Sequence, residues 1–111
     1  MRLLPLLLVL SLAACGGSGE SAASGDAKPA TVDIKSFKYK PAKVTVKAGA
    51  KVTWVNADGA GHTATFAKGP TALDTDRLEK GDRKALTFEK PGRYPYVCAF
   101  HAFMTGEVVV E

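Results

Sequence analysis

The chain has 111 residues, with 15 lysines and arginines against 11 aspartates and glutamates, and a formal net charge of +4. This length allows one domain at most once any export signal is set aside, which excludes a multidomain architecture. The basic residues are scattered and mostly alternate with apolar residues, whereas a nucleic-acid-binding surface would cluster them among aromatic side chains. The composition therefore predicts a single small domain that does not bind nucleic acid.

The chain begins with the pattern of an export signal. The apolar run from Leu3 to Ala14 is too short to span a bilayer, which needs ~20 apolar residues, but it has the length and flanks of a secretory signal. It ends in Leu-Ala-Ala-Cys15, which resembles the lipobox of bacterial lipoproteins, in which the cysteine sulfur takes a diacylglycerol and the signal is cut just before that cysteine. We predict a lipoprotein-type signal peptide over residues 1–14; the alternative is an ordinary signal cut near Ala14 or Ala23 that leaves a soluble protein.

A tether and one folded domain are predicted to follow the signal. Residues 15–30 are rich in glycine, serine and alanine and have almost nothing to bury, so we expect Cys15 to be followed by a flexible tether. Two or more acyl chains would hold such a protein stably to a membrane. We expect an exported, periplasmic or extracytoplasmic protein, anchored through Cys15, with its folded domain over residues 31–111.

The folded part has the pattern of a β-protein. Its apolar residues alternate over short runs of four to seven residues, which are bounded by glycine, proline and aspartate. The alternating members are Val32 and Ile34, Val44 and Val46, Val52 and Trp54, Leu86 and Phe88, Tyr94, Tyr96 and Cys98, and Val108 and Val110. Many short strands at this spacing predict an all-β, antiparallel sandwich or barrel of about seven to eight strands.

Two places depart from this alternation. The segment from Ala67 to Arg83 is long and irregular, and we expect a weak strand there or a helical turn over Asp76 to Lys80. A Greek-key sandwich needs at least one such crossing connection. Pro95 interrupts its strand and has no N–H, so it should lie at an edge, a bulge or an unpaired position.

The chemistry of the chain is concentrated between Cys98 and Met104. Cys98, His101 and Met104 follow one another at intervals of three, and His62 lies in a glycine-rich loop after the strand that ends near Asn56. Two imidazoles, a thiolate and a weak axial thioether are the ligand set of a blue-copper electron-transfer centre. Cys-x-x-His alone could be half of a zinc site, but a thioether is a poor zinc ligand.

The spacing Cys-x-x-His-x-x-Met resembles amicyanin, within the plastocyanin-like cupredoxins, and the resemblance extends over nearly all of Phe37 to Val110. It implies the cupredoxin fold, a Greek-key β-sandwich. It also implies one copper ion, held by His62, Cys98 and His101 in a trigonal plane, with Met104 as a long axial contact.

The same resemblance gives expectations for the surroundings of the metal, where we place Asn56, Thr63, Phe100 and Phe103. The family has asparagine after the first histidine, and its side chain ties the two ligand loops together; here Thr63 offers a single hydroxyl with less reach. His101 would present its ring edge to solvent as the electron port. Phe100 and Phe103 would flank it as an apolar docking collar, or pack in the core; we expect Phe103 to be buried and leave Phe100 open.

These residues predict an electron shuttle between exported or membrane-associated redox proteins that dock near His101. The alternatives are a copper carrier or storage protein that hands over the ion itself, and a metal-free binding module on the same frame. We do not expect an enzyme, because copper oxidases and nitrite reductases need further histidines or cysteines and the chain has only two histidines. We also expect a monomer.

Overall fold

The computed structural model describes residues 27–67 and 73–111. The predicted signal peptide, Cys15 and most of the predicted tether lie outside the described residues. No helix in the described ranges has both the length and the apolar character needed to cross a membrane.

The described residues form nine β-strands in two facing sheets. The strands are β1 (Ala30–Lys35), β2 (Lys38–Lys40), β3 (Lys43–Val46), β4 (Ala50–Asn56), β5 (Thr65–Phe66), β6 (Leu73–Asp74), β7 (Arg83–Phe88), β8 (Gly92–Cys98) and β9 (His101–Val110). One sheet has the order β2-β1-β4-β7 and the other has the order β3-β9-β8-β5-β6. The predicted all-β sandwich is confirmed, and two of its nine strands have only two residues each.

The sheets are mixed, whereas the sequence predicts antiparallel pairing. Strands joined by hairpins or short loops, such as β1 with β2 and β8 with β9, are antiparallel, but β1 pairs with β4 and β3 pairs with β9 in parallel. Alternation reports which face of a strand is buried and carries no information on the direction of the neighbouring strand. The parallel pairs arise where the chain crosses from one sheet to the other.

The core lies between the two sheets and consists of the alternating residues that the sequence singles out. All of these residues are buried except Val44 and Leu86, which are partly buried and pack against the core. Trp54 is fully buried at its centre, in edge-on contact with Phe66 and Tyr96. Burial of large aromatic side chains of this kind dominates the stability of a small domain.

The strand pairing explains both the long connection and the position of Pro95. The long connection contains the weak strand β6 and a single bridge between His62 and Leu78, and the predicted helical turn over Asp76 to Lys80 is wrong. Its backbone is tied to the loop before β5 instead, through reciprocal hydrogen bonds of His62 with Leu78. Pro95 lies where β8 pairs with β9 alone, since β5 meets β8 only at Val97, as expected for a residue without an N–H.

Candidate metal centre

His62 is held rigidly in the loop that follows β4. The side chain of Asn56 donates to the carbonyls of Ala60 and Leu78, at 2.9 and 2.8 Å, and accepts from the N–H of Asp58 at 2.8 Å. His62 itself exchanges two backbone hydrogen bonds with Leu78 and is fully buried. The Asn56 side chain therefore fixes the backbone of this loop, and with it the position of His62.

Cys98 and His101 are brought together by a tight hairpin. Ala99 and Phe100 form its turn, and Cys98 lies opposite His101 in the register of β8 and β9. The sequence places these ligands in a loop before the last strand, whereas in the structure that strand already begins at His101. Val97 faces Thr105, so three extra residues of β9 bulge out between the two pairs. This bulge leaves His101 half-buried and Met104 buried, although they lie three residues apart on one strand.

The two histidines and Cys98 converge on one point. The Cys98 Sγ lies 3.8 Å from the His62 Nδ1 and 3.5 Å from the His101 Nδ1, and the three ligand atoms all lie within 4.8 Å of one another. A metal bonded to nitrogen and sulfur at about 2.0–2.3 Å with angles near 120° would hold these atoms about 3.7 Å apart. The donor set and its spacing therefore fit a single copper ion.

Thr63 ties the two ligand loops together. Its hydroxyl accepts from the N–H of Ala99 at 2.8 Å, which joins the residue after His62 to the residue after Cys98. The hydroxyl also lies 2.8 Å from that of Thr65. The sequence predicts less reach for threonine than for asparagine at this position, but the loops approach closely enough for the shorter side chain to bridge them.

Asp58 is the functional residue that the sequence does not single out. Its Oδ1 accepts from the N–H of Ser36 at 2.7 Å, and its Oδ2 accepts from the N–H of Phe37 at 2.9 Å and lies 3.0 Å from the His62 Nε2. With the proton on Nε2, the Nδ1 lone pair points toward Cys98, as metal binding requires. The one sequence signal for Asp58 is its position, since it is a carboxylate four residues before a ligand histidine in a glycine-rich loop.

The carboxylate of Asp58 is ionised under these contacts. Burial works against the charge, but the backbone N–H groups of Phe37 and Ser36 and the ring of His62 stabilise it and hold the pKa below its ordinary value. The side chain is 12% exposed, so it is only partly open to water. Asp58 thus presents a fixed negative charge to the His62 ring.

Tyr39 supports the site from the core side. Its hydroxyl donates to the carbonyl of Thr63 at 2.5 Å, and its ring packs edge-on against Tyr96. Burial, followed by the proximity of Cys98 and Tyr96, raises the pKa of Tyr39 far above that of a free tyrosine. The phenol therefore stays protonated and remains a hydrogen-bond donor to the first ligand loop.

Three phenylalanines cover the cluster, and we refer to Phe37, Phe100 and Phe103 as the aromatic patch. The ring of Phe37 meets the rings of His62 and His101 edge-on, with centroids 5.0 and 4.9 Å apart, and lies 6.3 Å from that of Phe103. The exposed fractions are 40% for Phe37, 51% for Phe100 and 71% for Phe103. The expectation that Phe103 is buried is wrong, because the bulge in β9 turns it outward.

Known proteins share this sequence pattern. The family model for copper-binding proteins of the plastocyanin/azurin family matches residues 27–111. Amicyanin from Paracoccus versutus is 40% identical over 94 residues, which cover 82% of this chain and 71% of that protein. Amicyanin-alpha from Methylorubrum extorquens is 33% identical over 102 residues, which cover 89% of this chain and 86% of that protein.

Solved structures share the fold. An amicyanin mutant in its reduced state superposes with a TM-score of 0.70 at 40% identity, over 75% of this chain and 82% of that one. A copper-containing nitrite reductase from Thermus scotoductus also gives 0.70, at 31% identity, but the match covers only 22% of its chain. This chain therefore belongs to the plastocyanin/azurin family of copper-binding proteins, which bind one copper ion on this fold.

Proposed function

We propose that this protein is a type 1 copper electron-transfer protein that passes single electrons between exported redox proteins. The observation that carries the proposal is the convergence of His62, Cys98 and His101, with their ligand atoms within 4.8 Å of one another. When bound, copper supplies a one-electron Cu(I)/Cu(II) couple. Soft sulfur favours Cu(I) and imidazole suits Cu(II), so this mixed donor set serves both states.

The chain's own residues would keep the ligands in place during electron transfer. Asp58 orients His62, Thr63 fixes the Cys98 loop, and the hairpin fixes His101. Met104 is 2% exposed on the same hairpin, and it would hold the copper as a fourth ligand. A rigid donor set rearranges little between oxidation states, so the reorganisation energy of each electron transfer is small.

The partners would dock on the aromatic patch. His101 is half-buried at the centre of this patch, whereas His62 and Cys98 are at most 1% exposed. The ring edge of His101 is therefore the shortest route for an electron between the cluster and the surface. An apolar patch of this kind excludes water from a short-lived contact without requiring specific ion pairs.

The arrangement gives less support to the alternatives. A copper carrier needs ligands that another protein can reach, but Cys98 and His62 are at most 1% exposed. We also propose that the protein is not an enzyme, because the chain has two histidines and both belong to the cluster. The nitrite reductase match extends over 22% of that enzyme and supports only a shared domain.

The visible absorption spectrum of the copper-loaded protein tests the function. We expect an intense blue band that bleaches with a reductant and returns with an oxidant, because the Cys98 thiolate is the donor. Cys98→Ala should abolish the band, whereas Cys15→Ser, the matched change at the only other cysteine, should leave it intact. A blue Cys98→Ala variant, or a complex that bleaches only by losing its metal, would refute the proposal.

We also propose that Cys15 is lipidated and holds the exported, monomeric domain to a membrane; the predicted tether over residues 15–30 is then shorter at its end, because β1 already begins at Ala30. The support is the apolar run that ends at Cys15 and the small, polar composition of the residues after it. Cys15→Ser should release the protein from the membrane fraction without changing its spectrum. Membrane association that survives the substitution would rule out the lipid anchor.

A further inference from the structure

Two lysines frame the turn between β1 and β2. Lys35 ends β1 and Lys38 begins β2, and the two residues lie directly opposite each other in the register of the strands. Both are exposed, and neither forms an ion pair with any residue in the described ranges. Like charges directly opposite on one sheet face destabilise the pair, so folding alone does not favour this arrangement. We refer to Lys35 and Lys38 as the lysine pair.

The lysine pair lies at the edge of the aromatic patch. Phe37 lies between the two lysines in the chain, and its ring centroid is 4.9 Å from that of His101. Lys38 also lines a surface groove together with Phe37 and Phe103. A molecule that reaches the edge of His101 from this side therefore passes Lys38, and Lys35 lies opposite Lys38 in the strand register.

The other charges around the patch cancel only part of this positive charge. Arg77 lies over the ring of Phe100, 5.1 Å from its centroid, but it pairs with Glu79, so the two together are neutral. Asp58 accepts hydrogen bonds from this turn and carries one negative charge, which offsets one of the two lysines and leaves a net charge of +1. The rim of the patch thus combines exposed aromatic rings with two exposed, unpaired cations.

We propose that the lysine pair makes this docking surface selective for an acidic redox protein. The inference rests on the proposed electron-transfer function and adds the chemistry of the partner. Carboxylates around the partner's redox centre would meet Lys35 and Lys38 while its apolar contact region covers Phe37, Phe100 and Phe103. Charge complementarity of this kind raises the rate of encounter and falls with ionic strength.

An acidic protein suits this rim better than an anionic membrane surface. The two lysines adjoin the exposed ring edge of His101, and only a partner with its own redox centre makes use of that edge. A flat lipid surface over the patch would block the electron route instead. Membrane attachment through the lysine pair is therefore the competing outcome of the test.

The test uses two small oxidants of opposite charge on the copper-loaded, reduced protein in a Cys15→Ser background. One electron leaves the protein and reduces either hexacyanoferrate(III), with a charge of −3, to hexacyanoferrate(II), or tris(phenanthroline)cobalt(III), with a charge of +3, to its cobalt(II) form. Stopped-flow rates are compared for the parent, for Lys35→Gln/Lys38→Gln, and for Lys51→Gln/Lys90→Gln. The control pair removes the same charge from exposed positions farther from the cluster: Lys51 lies about 17 Å along β4 from Asn56, and Lys90 precedes β8, which extends about 20 Å to Cys98.

At about 0.01 M ionic strength, loss of the lysine pair should slow hexacyanoferrate(III) roughly tenfold and accelerate the cobalt complex by a similar factor. The control pair should change either rate by about twofold, and the differences should vanish at 1 M salt. Equal effects of the two double variants would overturn the proposal while leaving the electron-transfer function standing. A parent protein that reacts with neither oxidant would instead refute the function itself.

Sedimentation with phosphatidylglycerol vesicles tests whether an anionic membrane, and not an acidic protein, binds the lysine pair. We expect the parent and the Lys35→Gln/Lys38→Gln variant to bind these vesicles equally weakly. If the variant loses vesicle binding but keeps the parent rates with both oxidants, the lysine pair faces a membrane and the proposal is wrong.

Discussion

Replacement of Asp58 by alanine should both destabilise the fold and disturb His62. The turn over Ser36 and Phe37 has φ angles of +54° and +57°, the left-handed region that a two-residue hairpin of this length requires and that glycine or asparagine usually occupies. For a residue other than glycine this conformation costs about 1–2 kcal/mol of conformational free energy. The carboxylate of Asp58 holds both N–H groups of this turn, so its removal withdraws the support from the strained backbone.

The magnitude follows from the hydrogen bonds that are lost. Each bond to a charged group is worth about 1.5–3 kcal/mol net, and Asp58 accepts from two backbone N–H groups and one ring. Water enters this partly open position and replaces some of them, so we expect a loss of about 3 kcal/mol in the free energy of unfolding. Copper affinity should fall about 10- to 100-fold, because His62 loses the partner that orients it.

Urea unfolding of the metal-free protein is the assay, since bound metal would add its own stabilisation. Asp33→Ala is the control, because Asp33 lies on the exposed face of the same hairpin and makes no side-chain hydrogen bond within the described ranges. It should change the free energy of unfolding by less than about 0.5 kcal/mol. In Asp58→Ala the amide resonances of Ser36 and Phe37 should also shift. If the two variants unfold at the same urea concentration and these resonances stay in place, the Asp58 carboxylate does not stabilise the β1–β2 turn.

Three further changes test the packing around the site. Ser36→Gly should stabilise the metal-free protein by about 0.5–1 kcal/mol, because glycine adopts the positive φ freely; a destabilised variant would contradict the turn geometry. Gly106→Ala should lower the free energy of unfolding by about 1–3 kcal/mol, since a Cβ there would overlap the ring of Tyr96, and unchanged urea unfolding would refute that contact. Burial raises the pKa of Tyr96 to about 12, so its stabilising contribution is complete below pH 10 and is lost as pH rises toward 12. In unfolding measured between pH 10 and 12, Tyr96 should contribute a loss of about 3 kcal/mol, which Tyr96→Phe removes, whereas the loss due to Tyr39, whose pKa is raised further, should remain in that variant.

The strands and the three clustered ligands were predictable because their signals are local. Alternation marks the buried face of each strand, and Val32, Trp54 and Tyr96 are buried as it requires. Cys98 and His101 lie within one hairpin, so their spacing alone brings them together. His62 was identified by its chemistry, as the second of only two histidines, and its contact with Cys98 across 36 residues needed the fold.

The surroundings of the site were less predictable. The parallel pairing of β1 with β4 leaves no trace in either strand's own pattern. Phe103 has the composition of a core residue, but the register of β9 against β8 turns it to solvent. The role of Asp58 depends on its contacts with the β1–β2 turn. The two residues that it contacts there, Ser36 and Phe37, lie 22 and 21 residues away in the chain.

The sequence by itself determined the all-β architecture, the composition of the core and the donor atoms available for a metal, because these depend on residue type and on short-range periodicity. The tertiary structure alone decided which side chains surround those donors. Phe37 reaches His62 and His101, and Asp58 gains its two backbone partners, only because the β1–β2 turn folds against these ligand loops. Contacts between distant segments depend on sheet order and register, which no single segment of the chain encodes.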